Sequence, residues 1–435
     1  MALLFLWLCL LLPATSVSLK EERSDYKIYR LITANLPQHE ALVQAFYDKS
    51  LGVHFIKGPP RYGRTSDVKV SAKHLEEVEE FLDEQNIDYI QMFPNDGQTV
   101  DETVGTPTHC VFYRMGKYCQ YNSMLRFIRQ MTQRFPLLTE SFTIGHSHKG
   151  RPLTGIRIGA ASHIRHAVVI DAGIHAREWP ASHAAMFFIE KLLHGYGTDP
   201  QITEILDNLD IHIIPLLNPD GYEYSRSANF KDVRMWRGNR GMRVMVNGSD
   251  CSGVDVNRNF DFHWGETGSS SDPCALNYGG PEAFSESGSK ALREFILSPP
   301  LKGIVDAYVT IHSFGGLVIM PYNIANESLP EDHDELKAIG EKVVAAASKF
   351  SSEPFKLGTS VSLLNYSASG SSVDWAQQTA NVKYSYCIEL MPTIGSPSLE
   401  GFQPPEEKLW NIAASGWEGL KVIMQAALEL QKKTL

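Results

Sequence analysis

Beyond residue 18 the chain has no apolar run long enough to cross a bilayer, so a membrane-spanning helix is excluded downstream of that point. It has no Lys/Arg run to offset a formal net charge of −10, which argues against a nucleic-acid partner. Internal repeats and low-complexity tracts are absent. So are the H-E-x-x-H and H-x-x-E-H signatures, and any zinc site must therefore use another ligand spacing. Cysteine is scarce, with six among 435 residues.

What is present fits a globular protein large enough for two or three domains, 43% hydrophobic and 21% charged. The opening MALLFLWLCLLLPATSVS is an apolar stretch too short for an anchor, with small residues at Ser16 and Ser18. It reads as a signal peptide over 1–18, and the chain as secreted, extracellular and free of the membrane. Cys9 leaves with it. Secretion permits disulfides, and proximity pairs Cys251 with Cys274 and Cys110 with Cys119, although four cysteines allow three connectivities. Cys387, in the strand-like KYSYCIEL, reads as a buried free thiol.

Residues 26–93 alternate KIYRLITA, QHEALVQAFYDK, VHFI, SDVKV, HLEEVEEFLDEQ and IDYIQMF. Their periodicities predict the βαββαβ order of a small α+β split-βαβ domain. The stretch 94–108 is acidic, rich in turn residues and aperiodic, and reads as a linker. From about 122 onward, long amphipathic helices alternate with the buried apolar runs HAVVIDA, IHIIPLLN, IVDAYVTIH and VKYSYCIEL. That pattern predicts an α/β fold with helices over a mostly parallel sheet, whose site gathers beyond the carboxyl ends of the strands.

GIHAREWP lies at such a place, directly after HAVVIDA. His175 and Glu178 are three residues apart and face one way on a tight turn, which suits two ligands of one zinc ion. On spacing alone a polar turn is the commoner reading. His312, at the end of IVDAYVTIH and before a glycine turn, is the best third ligand. His212 lies inside its strand and reads as a satisfied core histidine; His183 reads as structural. Glu389 stands among alternating apolar residues near a strand end, where a carboxylate needs either a partner or a task. RMWRGNR and GVDVNRNFD concentrate arginines and amides, and an Arg fork flanked by amides suits a carboxylate.

The ordered set GIHAREW, NPDGY, RMWRGNR, GVDVNRNF, AYVTIHS, YSASGSSVDW and YCIEL resembles the secreted zinc metallocarboxypeptidases of the pancreatic A/B type, over nearly the whole chain. The resemblance implies a mixed eight-stranded sheet flanked by helices, preceded by an inhibitory pro-segment. It implies one zinc ion on His175, Glu178 and His312, with Glu389 as general base and acid and Arg237 stabilising the oxyanion. Asn257 and Arg258 would hold the substrate's terminal carboxylate, Tyr366 would close over it, and Arg177 would contact the peptide further upstream. Val373, just before Asp-Trp, sets specificity in the family; with Ile319 and Val361 near, it implies an apolar pocket that Cys387 trims.

The expected layout is signal peptide 1–18, pro-segment 19–93, connecting segment 94–109 and catalytic domain 110–435. Substrates would be peptide or protein C-termini, and a protease would activate the zymogen. An inactive binding protein on this fold would be expected to lose a ligand or the base; an amidohydrolase of small acylated amino acids needs neither the pro-segment nor the peptide-binding arginines. The chain departs from the family pattern at Phe314, where Tyr is usual, and in AQQTANVKY, one residue longer. The Cys110 and Cys119 pair is a third departure. No Lys or Arg lies between Lys73 and Arg114, so a protease of other than trypsin-like specificity is expected to cut near 98–108. Sequons stand at Asn247, Asn326 and Asn365, the last expected to stay unused beside Tyr366.

Overall fold

The structure, a computed structural model, describes residues 26–92 except 34, 48–52, 58–64, 72–73 and 86. It also describes Cys110 and residues 113–434 except 161–165, 228–230, 242–243, 247–248, 252, 352 and 394–397. The signal-peptide reading and the linker reading lie outside the described residues. The chain divides into two compact units, Met1–Gln98 and Thr99–Leu435.

The first unit runs β1 (Tyr26–Ile32), α1 (Leu36–Tyr47), β2 (Val53–Lys57), β3 (Thr65–Ser71), α2 (Leu75–Glu84) and β4 (Asp88–Met92). Its sheet has the order β2-β3-β1-β4, with antiparallel pairing throughout. Alternation decides which face is covered: Tyr29 and Leu31 on β1 and Val68 and Val70 on β3 are buried with Val78 and Leu82, one turn apart on α2.

In the second unit the strands are β5 (Thr139–His146), β6 (Pro152–Ile158), β7 (Ala167–Ala172), β8 (Asp210–Ile214), the small hairpin β9 (Met245–Val246) and β10 (Ser249–Asp250), β11 (Val305–Gly315), β12 (Leu317–Ile319), β13 (Lys356–Gly358) and β14 (Tyr384–Thr393). Eight of them form one mixed sheet in the order β13-β12-β14-β11-β7-β8-β6-β5. β14, β11, β7 and β8 are parallel neighbours at its centre. The mixed eight-stranded sheet is the expected one. Every residue of β7 is buried, as a central parallel strand covered on both faces requires.

The covering helices include α3 (Tyr121–Arg134), α4 (Trp179–Gly195), α5 (Pro200–Asn208), α6 (Pro219–Ser225), α7 (Lys231–Arg234), α8 (Ser287–Ile296) and α9 (His333–Ala347). The short α10 (Ser360–Leu364), α11 (Ser372–Gln378) and α12 (Ser398–Phe402) line the loops, and α13 (Leu409–Thr434) closes the chain. On α13 the stripe Leu409, Ala413, Leu420, Ile423, Met424, Ala427 and Leu428 is fully buried, a helical spacing that seats the helix against the sheet. Both expected disulfides are present, Cys110–Cys119 and Cys251–Cys274, and Cys387 is a buried free thiol.

One expectation fails at β8. His212 is buried but not satisfied: neither ring nitrogen has a hydrogen-bond partner. Its ring instead packs edge-on against Phe142 and Phe295. Burial pushes its pKa down to about 4, so it serves the core as a neutral aromatic.

Candidate active site

β7, β11 and β14 are neighbours in the sheet, and the site is built on the turn that leaves β7 and on the C-terminal halves of β11 and β14. Gly173 turns the chain out of β7 with φ +65°, a conformation that favours glycine. A Cβ there would also meet Ser182 Oγ at 2.4 Å and Leu216 Cδ1 at 2.5 Å. The turn delivers His175, and α4 starts immediately after Glu178, with Pro180 in its first turn. His312 and Glu389 are register partners on the parallel strands β11 and β14, so both side chains leave the same face of the sheet.

The donor atoms of His175, Glu178 and His312 all lie within 4.8 Å of one another, and all three residues are buried. His175 Nδ1 is 2.7 Å from one Glu178 oxygen, and His312 Nδ1 is 2.9 Å from the other. Two imidazole nitrogens and a carboxylate converging on one point form a donor set of the kind zinc takes. Burial alone would raise the Glu178 pKa, but the imidazoles of His175 and His312 hold it well below the usual carboxylate range. Burial lowers the His175 pKa, with Arg237 adding to the fall, which favours the neutral ring that a metal needs.

Asp255, which sequence reasoning quoted but did not single out, organises the other side of His175. Its carboxylate lies 3.0 Å from His175 Nε2 and accepts from Arg237 through Nε at 2.8 Å, with Nη2 at 2.7 Å. It also accepts from Asn257 N–H, starting the short 3₁₀ turn Val256–Arg258. One buried carboxylate thus fixes a candidate ligand, a candidate oxyanion donor and the start of the turn that carries Asn257 and Arg258. Its only sequence signal was its place two residues before Asn257.

Asn257 Oδ1 accepts from Ser372 N–H at 2.9 Å, which leaves its amide NH₂ as the free end. Arg258 donates to Asn257 O, Gly268 O and Tyr366 Oη, one N–H from each of its three nitrogens. Tyr366 is 38% exposed, with its hydroxyl on Gly268 O. Arg177 lies over the Phe402 ring, 4.3 Å from its centre.

Two register positions below His312 and Glu389, the same sheet face carries Asp171, Thr310, Cys387 and Ile319 on four adjacent strands. Asp171 is closed off by Tyr308 at 2.5 Å and Thr310 at 3.1 Å. Val373, Ile319 and Cys387 share one buried apolar cluster; Val361 is half-buried on α10. Glu389 is only partly covered. Burial pushes its pKa up to about 7, with Glu178 adding to the rise and His312, Arg237 and Arg177 opposing it. A carboxyl poised near neutrality suits a group that both takes and returns a proton.

The zinc carboxypeptidase family profile matches residues 124–419, and that of the carboxypeptidase activation peptide matches residues 29–103. Carboxypeptidase A2 of Rattus norvegicus is 33% identical over 405 residues, covering 92% of this chain and 93% of the relative. Carboxypeptidase A1 of Sus scrofa is 31% identical over 416 residues, covering 94% and 95%. The crystal structure of carboxypeptidase A from Helicoverpa armigera superposes with a TM-score of 0.68 at 27% identity, over 94% of this chain and 99% of that one.

Proposed function

The chain belongs to the zinc carboxypeptidase family and carries the family's activation peptide, and on that premise we propose a secreted zymogen whose released catalytic unit removes aliphatic or aromatic residues one at a time from free peptide C-termini. The observation that carries this reading is the buried convergence of His175, Glu178 and His312 beside Glu389, the register partner of His312.

His175, Glu178 and His312 would hold the zinc, and the two imidazole nitrogens and carboxylate fit it. When bound, zinc supplies Lewis acidity that acidifies water and polarises a carbonyl. The chain's own residues do the rest. The guanidinium of Arg258 and the amide NH₂ of Asn257 bind the terminal carboxylate, and the Tyr366 hydroxyl, 3.3 Å from Arg258 Nη2, closes the clamp. A clamp for a terminal carboxylate places the last peptide bond, and no internal one, before the base. Glu389 takes a proton from the attacking water and returns it to the departing amine. Arg237, oriented by Asp255, donates to the oxygen on which charge develops. Arg177 holds the peptide upstream.

Val373 with Ile319 and Cys387 makes an apolar pocket for the departing residue. The wild type is expected to cleave C-terminal Phe or Leu faster than Lys. Val373→Asp should reverse that order, because a buried carboxylate there is neutralised by a cationic side chain. Steady-state kinetics on blocked peptides ending in Phe, Leu, Lys and Glu read the result, and a wild type that prefers Lys would defeat the assignment.

We infer a signal peptide over 1–18, a pro-segment over 19–93 and a connecting segment over 94–109, ahead of a catalytic unit from 110. Arg114 and Lys117 lie within the loop closed by Cys110–Cys119, and Lys117 is ion-paired to Glu406. A cut there leaves both ends tethered, which supports release by a protease of other than trypsin-like specificity. No helix among the described residues is long and apolar enough to cross a membrane.

A further inference from the structure

Among the described residues of the Cys110–Cys119 loop, no hydrogen bond or ion pair reaches the proposed metal ligands or Glu389, yet the loop's polar groups hold a segment that does reach the site. Gly116 N–H donates to His183 Nε2 on α4 at 2.8 Å, and Tyr222 Oη on α6 donates to Cys119 O at 2.7 Å. These contacts anchor the loop to two helices. From that anchorage it grips residues 404–406. Tyr118 Oη donates to Pro404 O at 2.7 Å, Tyr118 N–H donates to Glu406 Oε1 at 3.2 Å, and the Lys117 ammonium pairs with the other Glu406 oxygen.

Two residues before Pro404 stands Phe402, whose ring meets both Arg177 and Phe314, the latter with centres 4.9 Å apart. Arg177 directly precedes Glu178, and Phe314 follows Ser313, whose N–H donates to a Glu178 oxygen at 3.3 Å. A second brace runs through Trp179. One ring face receives Arg234, 3.5 Å from the ring centre, and Tyr118 packs against the same indole with centres 5.4 Å apart. Arg234, only 2% exposed, donates to Arg177 O, Phe402 O and Gln403 Oε1.

We propose that the disulfide-closed loop 110–119 is a positioning strap: through Tyr118 and Glu406 it fixes residues 402–406, and so sets Phe402 and Arg177 for the peptide residues upstream of the cleaved bond. The proposal rests on the exopeptidase reading and deepens it. The strap acts on how a longer peptide is held and leaves the bond-breaking groups alone. Cys110 and Cys119 therefore belong to the working enzyme, and a nick after Arg114 or Lys117 impairs it selectively.

The test compares two substrates, a blocked dipeptide and a blocked pentapeptide, both ending in Leu, on wild type, Tyr118→Phe, Glu406→Ala and the Cys110→Ser/Cys119→Ser pair. Tyr118→Phe loses only the hydroxyl held by Pro404 O, so it keeps the question open should the other variants fold poorly. Expected is a rise of about tenfold in KM for the pentapeptide in Glu406→Ala and in the double serine variant, with a smaller rise in Tyr118→Phe. The kcat for either substrate and KM for the dipeptide stay at the wild-type value. Equal losses on both substrates, or none on the pentapeptide, overturn the strap. Hydrolysis of the dipeptide by wild type tests the peptidase reading by itself: a strap failure changes only the ratio between substrates, whereas a wild type inert on both overturns both readings.

Discussion

Glu389→Gln should keep its fold and bind zinc as the wild type does, while kcat falls by about 10³-fold or more. The size of the loss follows from what surrounds the position. The neighbouring buried carboxylates are engaged: Glu178 between two imidazoles, Asp255 between His175 and Arg237, and Asp171 under the hydroxyls of Tyr308 and Thr310. None is free to take over proton transfer. Glutamine preserves shape and removes only the ability to accept and return a proton. Zinc content by atomic absorption together with single-turnover hydrolysis separates the two properties. Near-normal turnover with full zinc would remove Glu389 from the mechanism.

Arg258→Ala should lose about 2–5 kcal/mol of transition-state binding for free-acid peptides, because a carboxylate is left facing the site without its charged partner. That is roughly a 30- to 5,000-fold fall in kcat/KM. Zinc content should not change, since the contacts of Arg258 are to Asn257, Gly268 and Tyr366 and to none of the candidate ligands. Arg258→Lys should recover part of the loss, as charge without the planar fork. An alanine variant as fast as wild type on free acids would show that the terminal carboxylate binds elsewhere.

The central strands were legible because burial on both faces writes itself as an apolar run: AVVIDA, DIHII, the core of β11 and YSYCIEL. The edge of the sheet was not. β12 and β13 have three residues each, too few for a period to register, and β5 is largely open to solvent, with its Phe142 and Ile144 only partly covered. The expectation of eight strands came from the resemblance to a family and not from periodicity. His175, Glu178, His312 and Glu389 could be named because each ends or follows an apolar run; in the structure His312 and Glu389 stand inside β11 and β14, whose register brings the two together.

Residues that act by holding others were harder to find. Arg234 and Asp255 stand inside RMWRGNR and GVDVNRNFD, and Phe402 lies outside any motif, but only the tertiary contacts show which residues each of them holds. His212 was misjudged for a related reason. A buried histidine inside a strand was expected to find a hydrogen-bond partner, but the ring packs edge-on against Phe142 and Phe295 and neither of its nitrogens has one.

The central claim is that a zinc held by His175, Glu178 and His312 makes this chain an exopeptidase for free C-termini. Its most direct test is a time course by mass spectrometry on the enzyme freed of its pro-segment. A hexapeptide rich in Leu and Phe would be offered as the free acid and as the C-terminal amide, before chelation, after chelation and after zinc is returned. The account predicts a ladder of products shortened one residue at a time from the free acid. It predicts a far slower reaction with the amide, loss of both after chelation, and recovery with zinc. Internal cleavage, equal rates on acid and amide, or trimming that survives complete removal of the metal would contradict it.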